Sequence, residues 1–513
     1  MCRDRWHPRP RQPRCAGRRT GLDRRRHVHG RAVHGRLDAD VSPAGRRPIP
    51  GRSRIGRAGW SVDSRTRWTR SEARVVKLHL RSEHDRDILR LAIPAFGSLV
   101  AAPLYILTDT AIVGRIGTPE LAGLALASAV LLTLVNLLVF LAYGTTGTVG
   151  RAIGAGDEDR AANLGMQSLW LGLLMGAIIG IALALAAAPL LELFHAENDV
   201  IDHATTYLRI SCVGVPALLT SMAGTGYLRG LQDTRTPLVV AIGTALLNGG
   251  IEVWFVFGLD WGVAGSAWST VIAEFAAAAT YTYMVVRTVR GRNQSVAPSV
   301  TDMWAASRGG LNLVARTAAL RGAFILAILI AATKGTTALA AHEIAIQIWM
   351  TLALALDAVA IAGQALVARH LGAGDTATAR SASARMIQLA FTFGVVAGLA
   401  LTLGANPLAR LFTSDVAVID LTAFLLIHVA VMQPIGGHVF ALDGILIGAG
   451  DLSFLAKAMW FSTLVFMCAA SIVWTSDLGI GWLWASLTLF MAVRAVTLHL
   501  RYRADSWLVT GAP

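Results

Sequence analysis

The chain is expected to be an all-α polytopic membrane protein, with twelve transmembrane helices arranged as two pseudo-symmetric six-helix bundles. Three observations lead there. From about residue 88 onward, apolar runs of roughly 20 residues follow one another, each able to cross about 30 Å of hydrocarbon as a helix. Hydrophobic residues make up 54% of the chain and charged residues 15%, against about 25% charged in soluble proteins. The second observation is a duplication: residues 149–157 read VGRAIGAGD and residues 367–375 read VARHLGAGD, 218 positions apart. The third is that Lys and Arg gather in alternate loops.

The offset of 218 recurs. It pairs Leu193-Phe194 with Leu411-Phe412, Val200-Ile201-Asp202 with Val418-Ile419-Asp420, Pro216 with Pro434, Gly230 with Gly448 and Asp233 with Asp451. Such self-similarity marks a repeat architecture, and this period is too long for a solenoid. The spans are read as 88–113, 120–145, 161–188, 204–229, 237–257 and 263–287, then 309–333, 338–368, 380–404, 417–447, 453–475 and 480–500. Residues 85–290 form the first lobe, 291–308 a cytoplasmic linker and 309–505 the second lobe. Six spans per repeat is even, so the repeats are parallel and related by an axis near the membrane normal. Two similar lobes that rock around a shared site are the plan of a transporter.

One set of loops holds Arg151, Arg160, Arg229, Arg235, Arg287, Arg290, Arg292, Arg308, Arg369, Arg380, Arg385 and Lys457, with Arg501 and Arg503 after the last span. The other set holds Arg115, Lys334 and Arg410. By the positive-inside rule the first set is cytoplasmic. The expected location is the cytoplasmic (plasma) membrane, with both termini inside. The net charge of +14 belongs to residues 1–75, which hold 21 Arg, no Lys and 6 acidic residues, a net of +15. Residues 1–80 are read as an Arg-rich extension, disordered or not translated, with the start near Val75-Val76. No amphipathic helix or apolar signal core is visible there.

Four loop signals lie on the basic side: GAGD at 154–157, GLQD at 230–233, and GAGD at 372–375 and 448–451. Glycine closes a helix in the left-handed region and Asp caps the next one. They are not phosphate loops, because no strand precedes them and no Lys-Ser/Thr follows. Cys212 and Cys468 sit in spans as small apolar fillers, and no cysteine spacing suggests a metal.

The candidate functional residues are the acids that stand in hydrocarbon: Asp109, Glu252, Glu274, Asp357 and Asp443. Each costs roughly 2.5–3.5 kcal/mol at mid-bilayer and marks an ion or substrate path by default. The shift of 218 places Asp109 on Ala327, Glu252 on Ala470, Asp357 on Val139 and Asp443 on Thr225. The frame is repeated and its charges are not. Asn248 and Glu252, four apart, share a helix face, where an amide beside a carboxylate can hold a cation or a proton-carrying acid. Asp109 stands between Thr108 and Thr110. Leaving water favours the protonated carboxyl, so an acid there can carry a proton. Pro94 and Pro103 precede Asp109 in the same span, and a proline kinks or hinges a helix. Arg209, Arg316 and Arg321 are candidate partners for the acids. His342, His428 and His438 are read as packed or interfacial.

From about 85 to 505 the chain resembles the multidrug and toxic compound extrusion (MATE) family, and its DinF-like branch most. The resemblance is carried by LAIPAFGSLVAAPLYILTDTAIVGRIGTPELAG (91–123), GYLRGLQDTRTPL (226–238), LNGGIEVWFVFGLDWGVAGSAWST (247–270), QIWMTLALALDAVAIAGQALVARHLGAGD (347–375) and FALDGILIGAGD (440–451). It implies two six-helix bundles and export driven by protons or sodium. It also implies that Asp109 is central to coupling, with Asn248 and Glu252 matching the fifth-helix Asn and acid. Related transporters often have Asp where Glu252 stands. A sodium site in another branch of the family uses a carboxylate of the seventh helix; no acid occupies the seventh span here, so a sodium site of that type is not expected. Asp357 and Asp443 fit the DinF-like and plant-like pattern.

The expected function is cation-coupled antiport of amphipathic, cationic organic compounds or drugs. The alternatives are an organic-acid exporter, which Arg316 and Arg321 would suit, and a flippase for lipid-linked precursors. No nucleophile–base set or metal-ligand pair argues for an enzyme. The expected partners are a small organic substrate and the bilayer, with no nucleic acid, and the protein is expected to be a monomer. No cofactor is expected beyond the coupling ion, proton or sodium, with sodium able to lie at Asp109, Asn248 and Glu252.

Overall fold

The structure, a computed structural model, describes residues 82–511, with the side chains of all but 305–308. The extension read at 1–80 lies outside the described residues. Among these, thirteen α-helices follow in order: α1 (Glu83–Val113), α2 (Thr118–Leu138), α3 (Phe140–Gly154), α4 (Glu158–Glu192), α5 (Asn198–Gly230), α6 (Arg235–Val253), α7 (Gly262–Gly291), α8 (Val300–Thr333), α9 (Thr336–Gly372), α10 (Thr376–Arg410), α11 (Val416–Gly448), α12 (Leu452–Thr475) and α13 (Ile480–Arg503). A π turn at Trp254–Gly258 extends α6. Helices α2 and α3 share one span, Thr118–Gly154, so twelve spans are long and apolar enough to cross a membrane.

The duplication is present in the backbone. Shifting α4 and α5 by 218 reproduces the bounds of α10 and α11, and the shifted ends of α2 and α3 are the ends of α9. One break has no counterpart. The span interrupts at Val139, where the shifted residue, Asp357, lies inside the continuous α9. A correction concerns the segment read as linker at 291–308. Helix α8 begins at Val300, because the Ser299 hydroxyl accepts the Asp302 N–H and caps it.

Each lobe is built around one long helix. Helix α5 packs against α2, α3, α4 and α7, and α11 against α9, α10 and α13. Small residues allow the close approach. On α4, a Cβ at Gly176 would lie 2.5 Å from the Pro216 Cα, and one at Gly180 would lie 2.6 Å from the Cys212 carbonyl. The shifted pair Gly394 and Gly398 meets the Gln433 and Ala430 carbonyls of α11 at 2.3 and 2.6 Å.

All four turn signals place a left-handed residue where the chain reverses, and two of them cap the next helix with Asp. Gly156, Gly374 and Gly450 take φ of 76°, 76° and 74°, and Gln232 holds the same place at 63°. Asp157 and Asp375 then accept the N–H of Arg160 and Thr378, at 2.8 and 2.9 Å. Hydrogen bonds from the Thr378 side chain and then its backbone N–H hold the Asp375 carboxyl below the usual carboxylate range. Asp451 instead accepts from Arg501 Nε at 2.6 Å.

Two glycine substitutions are expected to act with opposite sign. Gly176→Ala forces α4 away from α5 and should lower the thermal midpoint in detergent, at a cost of about 1–3 kcal/mol. Gly404→Ala, where a new Cβ meets nothing within 4 Å, should raise it by up to about 1 kcal/mol of helix propensity. Equal effects at the two sites would contradict the packing described.

Candidate functional site

Helix α1 presents Asp109 one turn before its end, and α6 presents Asn248 and Glu252 on one face. Asn248 Nδ2 donates to Asp109 Oδ1 at 2.8 Å and reaches Glu252 Oε2 at 3.5 Å. The Ser266 hydroxyl of α7 donates to Glu252 Oε1 at 2.6 Å. Asp109 is 5% exposed, Asn248 1%, and Glu252 and Ser266 0%. Two carboxyls that share one amide away from water cannot both stay ionised without a counter-charge. A proton on either satisfies this, as does a hard cation bound by oxygen donors. Asn248 Oδ1, buried with no partner, is a third oxygen for such an ion. The site therefore collects Asp109, Asn248 and Glu252 and adds Ser266. Only its place across the α6–α7 turn signals Ser266, and no spacing rule connects it to Glu252.

A cavity of about 470 Å³ adjoins this cluster. Asp109, Tyr105, Tyr207 and Glu274 line it, and so do Tyr143 and Arg229. Glu274 is thus a wall residue of the cavity and not a member of the Asp109 cluster. Pro94 and Pro103 lie within the continuous α1, where each leaves a carbonyl, of Arg90 and Leu99, without its helical N–H. Helix α1 also touches both lobes. Arg385 of α10 grips Asp85 at its start through Nε and Nη2, at 2.6 and 2.8 Å, while Asp109 near its end is held by α6.

The other two acids lie toward the second lobe. Arg316 of α8 and Arg494 of α13 each donate to Asp443 Oδ2 at 2.6 Å. The Tyr143 hydroxyl of α3 donates to Asp357 Oδ2 of α9 at 3.3 Å, across the lobes. Of the candidate arginine partners, Arg316 reaches an acid, whereas Arg209 is exposed. Two buried cations have places the sequence reading did not foresee. Arg494, 5% exposed, interrupts an apolar run, which was its available signal. Arg229, counted above with the loops, stands in the last turn of α5 and is 8% exposed, because α3 covers it. Thr146 of α3 donates to the Gly226 carbonyl of α5 at 3.1 Å, which holds the two helices together there. His342 is buried edge-on to Trp484, as a packed residue.

On the face of the GAGD turns the lobes close on each other. A Cβ at Gly154 would lie 1.9 Å from the Arg369 carbonyl, and one at Gly372 would lie 2.1 Å from the Arg151 carbonyl. Arg151 also donates to the Ala449 and Val509 carbonyls, at 2.9 and 2.6 Å, joining α3 to the second lobe. A second cavity, about 370 Å³, lies behind this contact and is lined by Arg151, Arg501, Asp451 and Trp507. Tyr143 is the one residue that lines both cavities.

Twelve apolar spans in two repeats, with acids and arginines set into the interior, define a multi-pass membrane transporter. The chain belongs to the MatE family, whose model matches residues 94–254 and 317–472. It is 32% identical over 425 residues to Protein DETOXIFICATION 44, chloroplastic, of Arabidopsis thaliana, covering 80% of each chain. It is 29% identical over 444 residues to DNA damage-inducible protein F of Escherichia coli, covering 84% of this chain and 94% of that one. Its fold is similar to a MATE transporter of Vibrio cholerae solved in the bent form, with a TM-score of 0.75, 21% identity and coverage of 82% and 96%.

The Asp443 cluster makes an ordered prediction. Asp443→Leu leaves two guanidiniums uncompensated and should cost about 3–5 kcal/mol, seen as loss of folded protein in detergent. Arg316→Met leaves the Arg494–Asp443 pair neutral and should cost clearly less. The reverse order of thermal midpoints would contradict the arrangement.

Proposed function

We propose that the protein is a secondary active exporter that moves amphipathic organic compounds across the cytoplasmic membrane in exchange for protons or sodium. The observation that carries this is the buried Asp109–Asn248–Glu252 cluster, with its shared amide and its unpartnered Asn248 oxygen. Membership of the MatE family and likeness to a relative named for detoxification support the export direction.

The cycle follows from charge. In an outward-facing state, a proton or sodium ion neutralises the Asp109–Glu252 pair. The loaded pair no longer repels itself, so α1 can repack between its anchor at Asp85 and its end at Asp109, with Pro94 and Pro103 as the bending points. Coupling then requires that the two lobe arrangements bind the ion with different affinity. The mouth on the GAGD face, closed by Gly154, Gly372 and Arg151, opens in the alternate arrangement. By the positive-inside count that face is cytoplasmic. Acids on the cavity wall, Asp109 and Glu274, favour a cationic centre on the substrate. The same walls hold Arg229, which bears on the organic-acid alternative.

In proteoliposomes with an imposed pH or sodium gradient, ethidium flux is expected from the wild type and is expected to fall at least tenfold in Asp109→Asn. Ser266→Ala, which removes one hydrogen bond to Glu252, should shift the proton or sodium dependence without abolishing flux. Equal gradient-driven flux from Asp109→Asn and wild type would remove Asp109 from the coupling step.

A further inference from the structure

Arg229 is a cation with no partner at the wall of an apolar cavity. It is 8% exposed, and it lines the 470 Å³ space with Tyr143, Tyr281 and Met222. Among the described residues it makes no hydrogen bond and no ion pair, and its Nε is buried without a partner. The polar groups around it are Tyr143, Asp357 and Tyr281. Asp357 is the one acid among them, and it already accepts from the Tyr143 hydroxyl.

The imbalance extends across the lobes. Asp357 lies within electrostatic reach of Arg229 and Arg316 without an ion pair to either, and Arg316 shares Asp443 with Arg494. Around Asp357 and Asp443 stand three guanidiniums, Arg229, Arg316 and Arg494, against two carboxyl groups. A charge taken out of water without its counter-ion is costly, and in a membrane no solvent can supply one. Arg316 Nε is also buried and unpartnered, but Arg229 is the member that faces the cavity.

We propose that Arg229 is the anchor for an anionic group, a carboxylate, on the transported compound. A guanidinium presents a planar fork that matches a carboxylate through two parallel hydrogen bonds. The mostly aliphatic and aromatic remainder of the cavity takes the apolar body. The inference rests on the export reading and narrows it: the preferred compounds are amphipaths that carry a carboxylate, alone or with an amine that Glu274 and Asp109 would attract. The Tyr143–Asp357 bond sits beside the anchor and between the two cavities, so an anion on Arg229 competes with Asp357 at the crossing point.

A matched pair of dyes tests it. Rhodamine 110 carries a free carboxylate, and rhodamine 123 is its methyl ester. Binding of each to the purified full-length protein in detergent is measured by fluorescence polarisation for wild type, Arg229→Gln and Arg229→Lys. The wild type should bind the acid about tenfold or more tighter than the ester, as expected for a hydrogen bond between charged groups. Arg229→Gln should erase that preference while leaving the ester within about threefold. Arg229→Lys, which keeps the charge and loses the fork, should fall between and also serves if the Gln variant does not fold. Equal affinity of the wild type for both dyes, or an equal loss of both in Arg229→Gln, overturns the anchor and leaves the export reading standing. Binding of neither dye to the wild type overturns the multidrug reading, and the anchor with it.

Discussion

A charge inside hydrocarbon must be balanced within the protein, because no water is at hand to balance it. The Asp109 and Asp443 clusters both answer to that constraint. In the first lobe two carboxyls lean on one amide and one hydroxyl, which leaves room for one more positive charge, a proton or a metal cation. Around Asp357 and Asp443 three arginines stand against two acids, and the anchor proposed at Arg229 would take one negative charge. The two deficits are complementary. A carrier that takes a cation at one and an organic anion or zwitterion at the other can use each event to alter the balance that holds its helices together.

The duplicated frame and the unduplicated charges divide the work. Paired glycines on α4 and α10 set the helix spacing in both lobes, and paired GAGD turns cap equivalent helices. The same pairing brings Gly154 and Gly372 onto each other's neighbouring backbone, so the lobes meet there through a pseudo-symmetric seam at which backbones come together. Departures from symmetry fall where chemistry is needed. Asp109 and Glu252 have alanines, Ala327 and Ala470, at the equivalent places of the other repeat. The span interrupted at Val139 has Asp357 at the matching place, and just beyond that break stands Tyr143, which reaches across to Asp357. Helix α1 joins the two levels, tied to the second lobe by Asp85 and to the first by Asp109.

The apolar runs, the offset of 218 and the turn residues made the helices and their repeat legible, since these depend on local composition and periodicity. The ends were less so. Helix α4 runs from Glu158 to Glu192 and not from 161 to 188, because its cap, Asp157, lies outside the apolar run. The early start of α8 has the same origin in Ser299. At the site, the i, i+4 spacing joined Asn248 to Glu252, yet only the packing of α1 on α6 brings Asp109 to them. Ser266 was invisible for the same reason. Arg229 was misread for a physical cause: it stands one residue before a turn, where solvent is the usual environment, and α3 happens to cover that turn. Val139 carries no Gly or Pro signal that would announce its break.

The central claim is that occupancy of the Asp109–Asn248–Glu252 cluster sets the relation of the two lobes. Electron–electron distance measurement between spin labels tests it most directly. Labels at Asn198→Cys and Val416→Cys, the exposed and repeat-equivalent starts of α5 and α11, would be placed in a chain whose four native cysteines are replaced. The account predicts that the distance distribution shifts between high and low pH, or with and without sodium, and that Asp109→Asn holds it in one population. A distribution unmoved by either ion, or one that still shifts in Asp109→Asn, would contradict it.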